Sequence, residues 1–120
     1  MTGRILVTGP RVFKDYVALW NALEALQPMM VIHGEAEGAD TFAGRWAEQN
    51  QCPVRSKPYS KLLGRAGGVL RNEYLLDHYH PDLVLACRTM GADVGTRDCM
   101  ARAIDRYGCH HNAALGLFYG

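Results

Sequence analysis

The chain is predicted to fold as an α/β domain, a single open parallel sheet of about five strands with helices on both faces. Three observations carry this prediction. Short continuous apolar runs, Ile5-Leu6-Val7 and Leu83 to Cys87, have the composition of strands buried on both faces. Between such runs lie segments whose apolar residues recur at helical spacing. The stretch MVIHGEAEGAD, Met30 to Asp40, then passes from an apolar strand through a loop punctuated by Gly34 and Gly38 into an amphipathic helix. That strand-loop-helix unit places loop amides and the positive end of a helix where a phosphate or carboxylate can sit.

Taken in order, strand 1 is expected over Arg4 to Thr8, ending at Gly9-Pro10. Helix 1 follows from about Lys14 to Leu26. Tyr16, Leu19, Trp20, Leu23 and Leu26 form its apolar face, and Lys14, Asp15, Asn21 and Glu24 largely cover the rest. Pro28 stops it. Strand 2 covers Met29 to His33, and helix 2 begins near Asp40 with Phe42, Ala43, Trp46 and Ala47 on one side, ending near Asn50. Strand 3, about Val54 to Lys57, is short and bracketed by Pro53 and Pro58, which suits a sheet edge. A long loop from Tyr59 to Gly68 leads to helix 3, about Val69 to Tyr79, and loops of that length in compact domains are often functional. Strand 4 is Leu83 to Cys87. Helix 4 spans Thr96 to Tyr107, with Cys99, Met100, Ala103, Ile104 and Tyr107 inward and Gly108 as its C-cap. The tail from Ala113 to Tyr119 can supply a fifth strand. Strands and helices alternating with short connections give a Rossmann-like sheet.

The 120 residues, 48% of them apolar, suit one domain spanning residues 1–120 with one core. Thirteen basic and twelve acidic residues are spread along the chain, giving a net charge of +1, with no basic block. Binding to a nucleic-acid backbone or to a membrane is therefore not expected. The start, MTGRILVTGP, reads as a strand rather than a signal peptide, and a cytoplasmic location is expected. Cys52, Cys87, Cys99 and Cys109 stand 35, 12 and 10 residues apart, unlike the paired spacing of a zinc site. Reduced, mostly buried thiols are expected, with no metal and no cofactor.

Ligands of a doubly wound sheet bind beyond the carboxyl ends of its strands, where the winding reverses. Those ends carry Thr8, Gly9 and Arg11; Gly34, Glu35, Gly38, Ala39 and Asp40; and the loop Arg88 to Thr96, with Gly95, Thr96 and Arg97 opening helix 4. Glycine lets a backbone approach a ligand, and Asp40 and Thr96 are helix-capping residue types. Each loop alone could be a simple turn and cap. Three converging on one sheet edge form a candidate site. Arg71 and Asn72, expected to open helix 3, would point back toward it, where a guanidinium can hold a phosphate or carboxylate by two hydrogen bonds.

In these pieces the sequence resembles the stand-alone YspA/YpsA-related members of the SLOG superfamily. That Rossmann-like group also holds the LOG phosphoribohydrolases and the DNA-processing protein DprA. The matching segments are RILVTGPR (4–11), HGEAEGAD (33–40), GRAGGVLRNEYLLD (64–77), DLVLA (82–86) and GTRDCMARA (95–103), in family order over nearly the whole chain. The resemblance implies a nucleotide or nucleotide-derived ligand. It carries over Gly34, Gly38, Ala39 and Asp40 as one cradle, Arg71 and Asn72 as polar contacts, and Gly95-Thr96 as a second cradle.

LOG-type enzymes, which cleave the ribose-base bond of a nucleoside monophosphate, use an arginine and a glutamate three residues after a Gly-Thr pair preceded by Pro-Gly-Gly. Arg71 can stand for the arginine, but Cys99 occupies the glutamate's place and the Pro-Gly-Gly is missing. Glu35 also replaces a glycine common in the first cradle. With Glu37 it either turns to solvent or binds ribose hydroxyls or an amine. Three readings follow: a binding module that senses or sequesters a nucleotide-derived signal such as an ADP-ribose derivative or cyclic nucleotide; a nucleotide N-glycosidase in which Glu35, Glu37 or Asp40 replaces the lost glutamate; and an oligomerising adaptor with a vestigial crevice. The first is expected, with no catalytic residues assigned. A homo-oligomer is expected too, because Trp20, Trp46 and Tyr74 give the helices more apolar surface than a monomer easily covers.

Overall fold

A computed structural model describes residues 2–9, 13–58, 65–88, 99, 101 and 117–119. Four strands, β1 (Thr2–Thr8), β2 (Pro28–His33), β3 (Val54–Ser56) and β4 (Leu83–Arg88), form a parallel sheet in the order β3-β2-β1-β4. Three helices connect them: α1 (Tyr16–Leu26), α2 (Ala39–Gln49) and α3 (Arg65–Tyr79). Beside β4, the segment Leu117–Tyr119 runs parallel in the register Ala86↔Leu117, while residues 113–116 of the expected fifth strand lie outside the described residues. So does the expected fourth helix, apart from the helical residues Cys99 and Ala101.

Alternation along the strands builds two cores. Ile5, Val7, Val31, Leu83, Leu85 and Cys87 face α1 and α2, packing on Leu19, Leu23, Ala43, Trp46 and Ala47. The residues between them face the other way. Leu6 is in register with both Ile32 and Val84, and that row meets Leu75 and Leu76 of α3 together with Cys99. Because α1 and α2 cover one face and α3 the other, the winding reverses between β1 and β4. The crevice at that reversal opens beyond Thr8 and Ala86, which pair in register.

Several boundaries differ from expectation for local reasons. α1 ends at Leu26 because Gln27 takes a left-handed conformation (φ 47°), its N–H donating to the Leu23 carbonyl. Pro28 is thus not merely a stop. It is the buried first residue of β2, a place where its missing N–H costs nothing in the ladder. α3 begins at Arg65, four residues before the expected Val69. Gly67 and Gly68 had suggested a loop, but glycine at a helix interior costs only about 1 kcal/mol against alanine, which packing readily offsets. Arg71 and Asn72 consequently lie in the second turn of α3 and do not open it. Residues 59–64 of the expected long loop lie outside the described residues.

β3 occupies the sheet edge, as its flanking prolines suggest. Trp46, expected to contribute exposed surface, is buried, and its indole N–H donates to the Glu24 carboxylate at 3.1 Å. Among the described residues no helix is long and apolar enough to cross a membrane.

Candidate functional site

The loop after β2 is held from behind by its own neighbours. Asp40, the second residue of α2, turns its carboxylate inward: Oδ2 accepts the Gly34 N–H at 2.8 Å and, more weakly, the Ala36 N–H at 3.5 Å. The Ala36 carbonyl accepts from both the backbone N–H and the hydroxyl of Thr41. His33 closes the third side, its Nδ1 accepting the Glu35 N–H at 3.0 Å. That bond places the imidazole proton on Nε2, which faces the bare Cα of Gly44; a Cβ there would lie 2.8 Å from it. Burial lowers the His33 pKa, Glu35 opposing it, so the ring is held neutral.

Arg71 reaches the same loop from α3, across the sheet edge. Its Nη1 donates to the Gly34 carbonyl at 2.7 Å and its Nε to Asn72 Oδ1 at 3.0 Å. Gly34 must be glycine for this, because a Cβ would run into the guanidinium. A comparable demand acts at Gly9, where a Cβ would come within 2.8 Å of the Cys87 carbonyl and 3.0 Å of the Ala39 side chain. The end of β1 can therefore lie close against both β4 and the start of α2.

Asp40 is 3% exposed, and its Oδ1 has no hydrogen-bond partner among the described residues. Burial pushes its pKa up to about 6, against the opposing pull of the Gly34 N–H and the Arg71 charge. Thr8, Gly34, Asp40, Arg71, Asn72 and Cys99 surround one tight pocket at the reversal of the winding. In the core facing α1 and α2, burial and the charges of Asp40 and Asp15 raise the Cys87 thiol to about 12, so it stays protonated.

Asp40 belongs to the candidate cradle, but not as the helix cap that its residue type suggests. The N-cap of α2 is Gly38, at φ 85° and ψ −125°, a conformation available essentially to glycine alone, and no side chain among the described residues caps the helix. An anion approaching here would meet N–H groups that no helical carbonyl can accept, with the positive end of the helix dipole behind them. Glu35 sits at φ 60°, in the left-handed region where glycine is favoured. Its carboxylate accepts from the Ser56 hydroxyl at 2.9 Å, and Glu35 and Glu37 are both exposed.

The structure thus brings Thr8, Gly9, Gly34, Gly38, Ala39, Asp40, Arg71 and Asn72 to one sheet edge, and directs Glu35 toward β3. Arg11, Gly95, Thr96 and Arg97 lie outside the described residues. His33 was not singled out from the sequence, although a histidine closing an apolar strand opposite a helical glycine is a usable signal. Cys52 and Cys87 are free thiols, and among the described residues no cluster of histidine, cysteine or carboxylate could hold a metal.

Comparison with known proteins places these features in a family. The model of the YspA, cpYpsA-related SLOG family matches residues 3–58, which contain β1 from its second residue, the whole of the loop after β2, and α2. The Gene 61 protein of Mycobacterium phage D29 is 37% identical, in an alignment covering 83% of this chain and 87% of that protein. No solved structure matches the chain. With a parallel α/β sheet, a glycine loop braced by Asp40, and these similarities, the chain belongs to the YspA/cpYpsA-related SLOG family.

Proposed function

We propose that this protein binds a nucleotide or nucleotide-derived signalling ligand, such as an ADP-ribose derivative or cyclic nucleotide, and senses or sequesters it without turning it over. One observation carries the reading: α2 begins at Gly38 with no side-chain cap among the described residues, while the Asp40 carboxylate of its first turn accepts from the Gly34 N–H of the loop. A phosphate group at this helix start would lie at the positive end of the α2 dipole, facing the first backbone N–H groups of the helix. Arg71 supplies positive charge beside it, and Thr8, Gly9, Gly34, Ala39 and Asn72 shape the crevice. Arg11 and the Gly95-Thr96-Arg97 segment are proposed as its remaining wall, in a Rossmann-like sheet completed by the C-terminal strand. Glu35, bonded to Ser56, lies at the rim, where a ribose hydroxyl could meet it.

Mass spectrometry of small molecules released from the purified protein tests this directly, with a phosphate-bearing nucleotide expected. Losing one charge-assisted hydrogen bond typically costs about 1.5 to 3 kcal/mol, so Arg71→Ala should weaken binding by roughly tenfold or more. Unchanged affinity by calorimetry would remove Arg71 from the site.

A second reading, a nucleoside-monophosphate N-glycosidase, is favoured by the buried Asp40 carboxyl beside Arg71. Catalysis of that kind needs negative charge near the developing cation on ribose, and one lost contributor of this sort costs about 10²-fold to 10³-fold. Cys99 supplies no such charge, Glu35 and Glu37 are exposed, and Asp40 already braces the loop. No free base should therefore appear when nucleoside monophosphates are incubated with the protein. Base release that vanishes in Asp40→Asn would establish the enzyme instead.

A further inference from the structure

The first turns of α1 and α2 meet in an apolar groove of about 270 Å³ lined by Tyr16, Val17, Trp20 and Phe42. Tyr16 and Phe42 stack in parallel, 4.8 Å between centroids and 10° between planes, and Trp20 stands at 65° to Phe42. These rings form a corner. A flat ring laid on one wall meets the other edge-on, and both arrangements are favourable for aromatic pairs. The lining offers apolar surface, and the volume falls just short of the ~300 Å³ at which pockets for whole small molecules begin. One fused-ring base fits that space better than a complete nucleotide.

One wall of the groove, Phe42, stands a single helical turn along α2 from its start at Gly38. Phe42 donates its N–H to the Gly38 carbonyl at 3.0 Å, and its neighbour Thr41 holds Ala36 of the same loop. At a rise of about 1.5 Å per residue, Phe42 lies roughly 6 Å along the helix from Gly38, a span that a sugar can bridge. Tyr16, Val17 and Trp20 are 38%, 72% and 37% exposed, leaving the corner open to solvent. We infer that the Tyr16-Val17-Trp20-Phe42 groove is the subsite for the aromatic base of the ligand, the phosphate lying at the start of α2. This rests on the nucleotide-binding reading above and assigns its base-recognising surface.

The test is a calorimetric titration of wild type, Val17→Glu and Trp20→Leu with AMP, GMP, UMP and ADP-ribose, using ribose 5-phosphate as the base-free probe. Val17 is mostly exposed, so its replacement fills the groove with a charge while leaving the core alone. Stacking a base on an aromatic side chain contributes enough for roughly tenfold in affinity. Wild type should bind at least one base-bearing probe about tenfold more tightly than ribose 5-phosphate. Both variants should lose that margin with ribose 5-phosphate unaffected, and the same probe should quench Trp20 fluorescence. Full base-dependent affinity in both variants would overturn the subsite while leaving nucleotide binding standing. So would a wild-type dimer that the variants dissociate with no change in affinity, which would make a second copy the groove's occupant. If none of the probes binds wild type, both readings fall together.

Discussion

Two glycines at the sheet edge make different demands, and the difference is measurable. A methyl group on Gly9 would meet a backbone carbonyl, that of Cys87, and the Ala39 side chain on the neighbouring helix, neither of which can swing aside. Gly9→Ala should thus destabilise the fold by about 1 to 3 kcal/mol, the usual range for overpacking. At Gly34 the obstacle is the far end of the Arg71 side chain, which can move. Gly34→Ala should leave the melting temperature nearly unchanged yet reproduce the binding loss of Arg71→Ala. Equal melting losses in the two alanine variants would contradict this account. Asp40 makes a separate prediction about pH. Its folded pKa, about 6, lies above the ~3.9 of an unfolded aspartate, so the native state holds the proton more tightly. Its contribution to stability is fully present below about pH 4 and is lost as pH rises through about 6. His33 acts in the opposite sense: its lowered pKa gives a contribution present above about 6.5 and lost as pH falls through the folded value. Chemical denaturation of wild type and Asp40→Asn isolates the carboxyl. The stability of wild type relative to the variant should decline between pH 4 and 7, and a constant difference would contradict the buried, proton-retaining Asp40. The sequence marks Asp40 as a residue of the candidate cradle, because an aspartate after a glycine loop is a helix-start residue type. It could not disclose that the carboxylate turns inward, since that depends on Gly34 and Ala36 folding back over it.

At the scale of elements, several segments leave their helix or strand through non-glycine residues at positive φ: Gln27 after α1, Gln51 after α2 and His80 after α3. A left-handed conformation costs an L-residue about 1 to 2 kcal/mol, partly offset by the greater freedom of glycine in the unfolded chain. Gln51 is exposed at φ 57°. Gln51→Gly should therefore stabilise the protein by a few tenths to about 1 kcal/mol, raising the thermal midpoint by a few degrees. A lower midpoint would show that this turn is not under backbone strain. These exits were hidden in the sequence, where glycine is the recognisable stop and glutamine carries no such mark. The helix faces were more legible. Leu19, Leu23, Ala43 and Ala47 recur at helical spacing and are buried as expected, and Trp46 joins them in the core, whereas Tyr16 and Trp20, on the predicted α1 stripe, stay partly exposed. Periodicity identifies an apolar face but not its width, and only the packing of α1 on α2 decides where that face ends. In α3 the opposite error arose, because Gly67 and Gly68 concealed a helix start that α3's packing on Leu6, Ile32 and Val84 sustains.

For the whole molecule, the four-stranded parallel arrangement was legible because each strand is a short apolar run and each connection is a helix. The side on which each helix packs was not, since a single sequence does not specify where winding reverses. That reversal, between β1 and β4, is what brings Arg71 of α3 over Gly34 at the end of β2. Self-association remains a proposal at this scale. With Trp46 buried, the apolar surface it would use shifts to α3, where Leu70 is 51% and Tyr74 38% exposed. Light scattering at micromolar concentration should give more than a monomer mass, reduced to monomer in Leu70→Lys; a monomeric wild type would contradict the proposal. The central claim, that the uncapped start of α2 and Arg71 together receive a nucleotide's phosphate, is tested most directly by calorimetry. Wild type and Arg71→Ala would be titrated with ADP-ribose and nucleoside monophosphates. The account predicts saturable binding of at least one of them by wild type, weakened roughly tenfold or more in the variant. Absence of binding by every one, or equal affinity in both proteins, would contradict it.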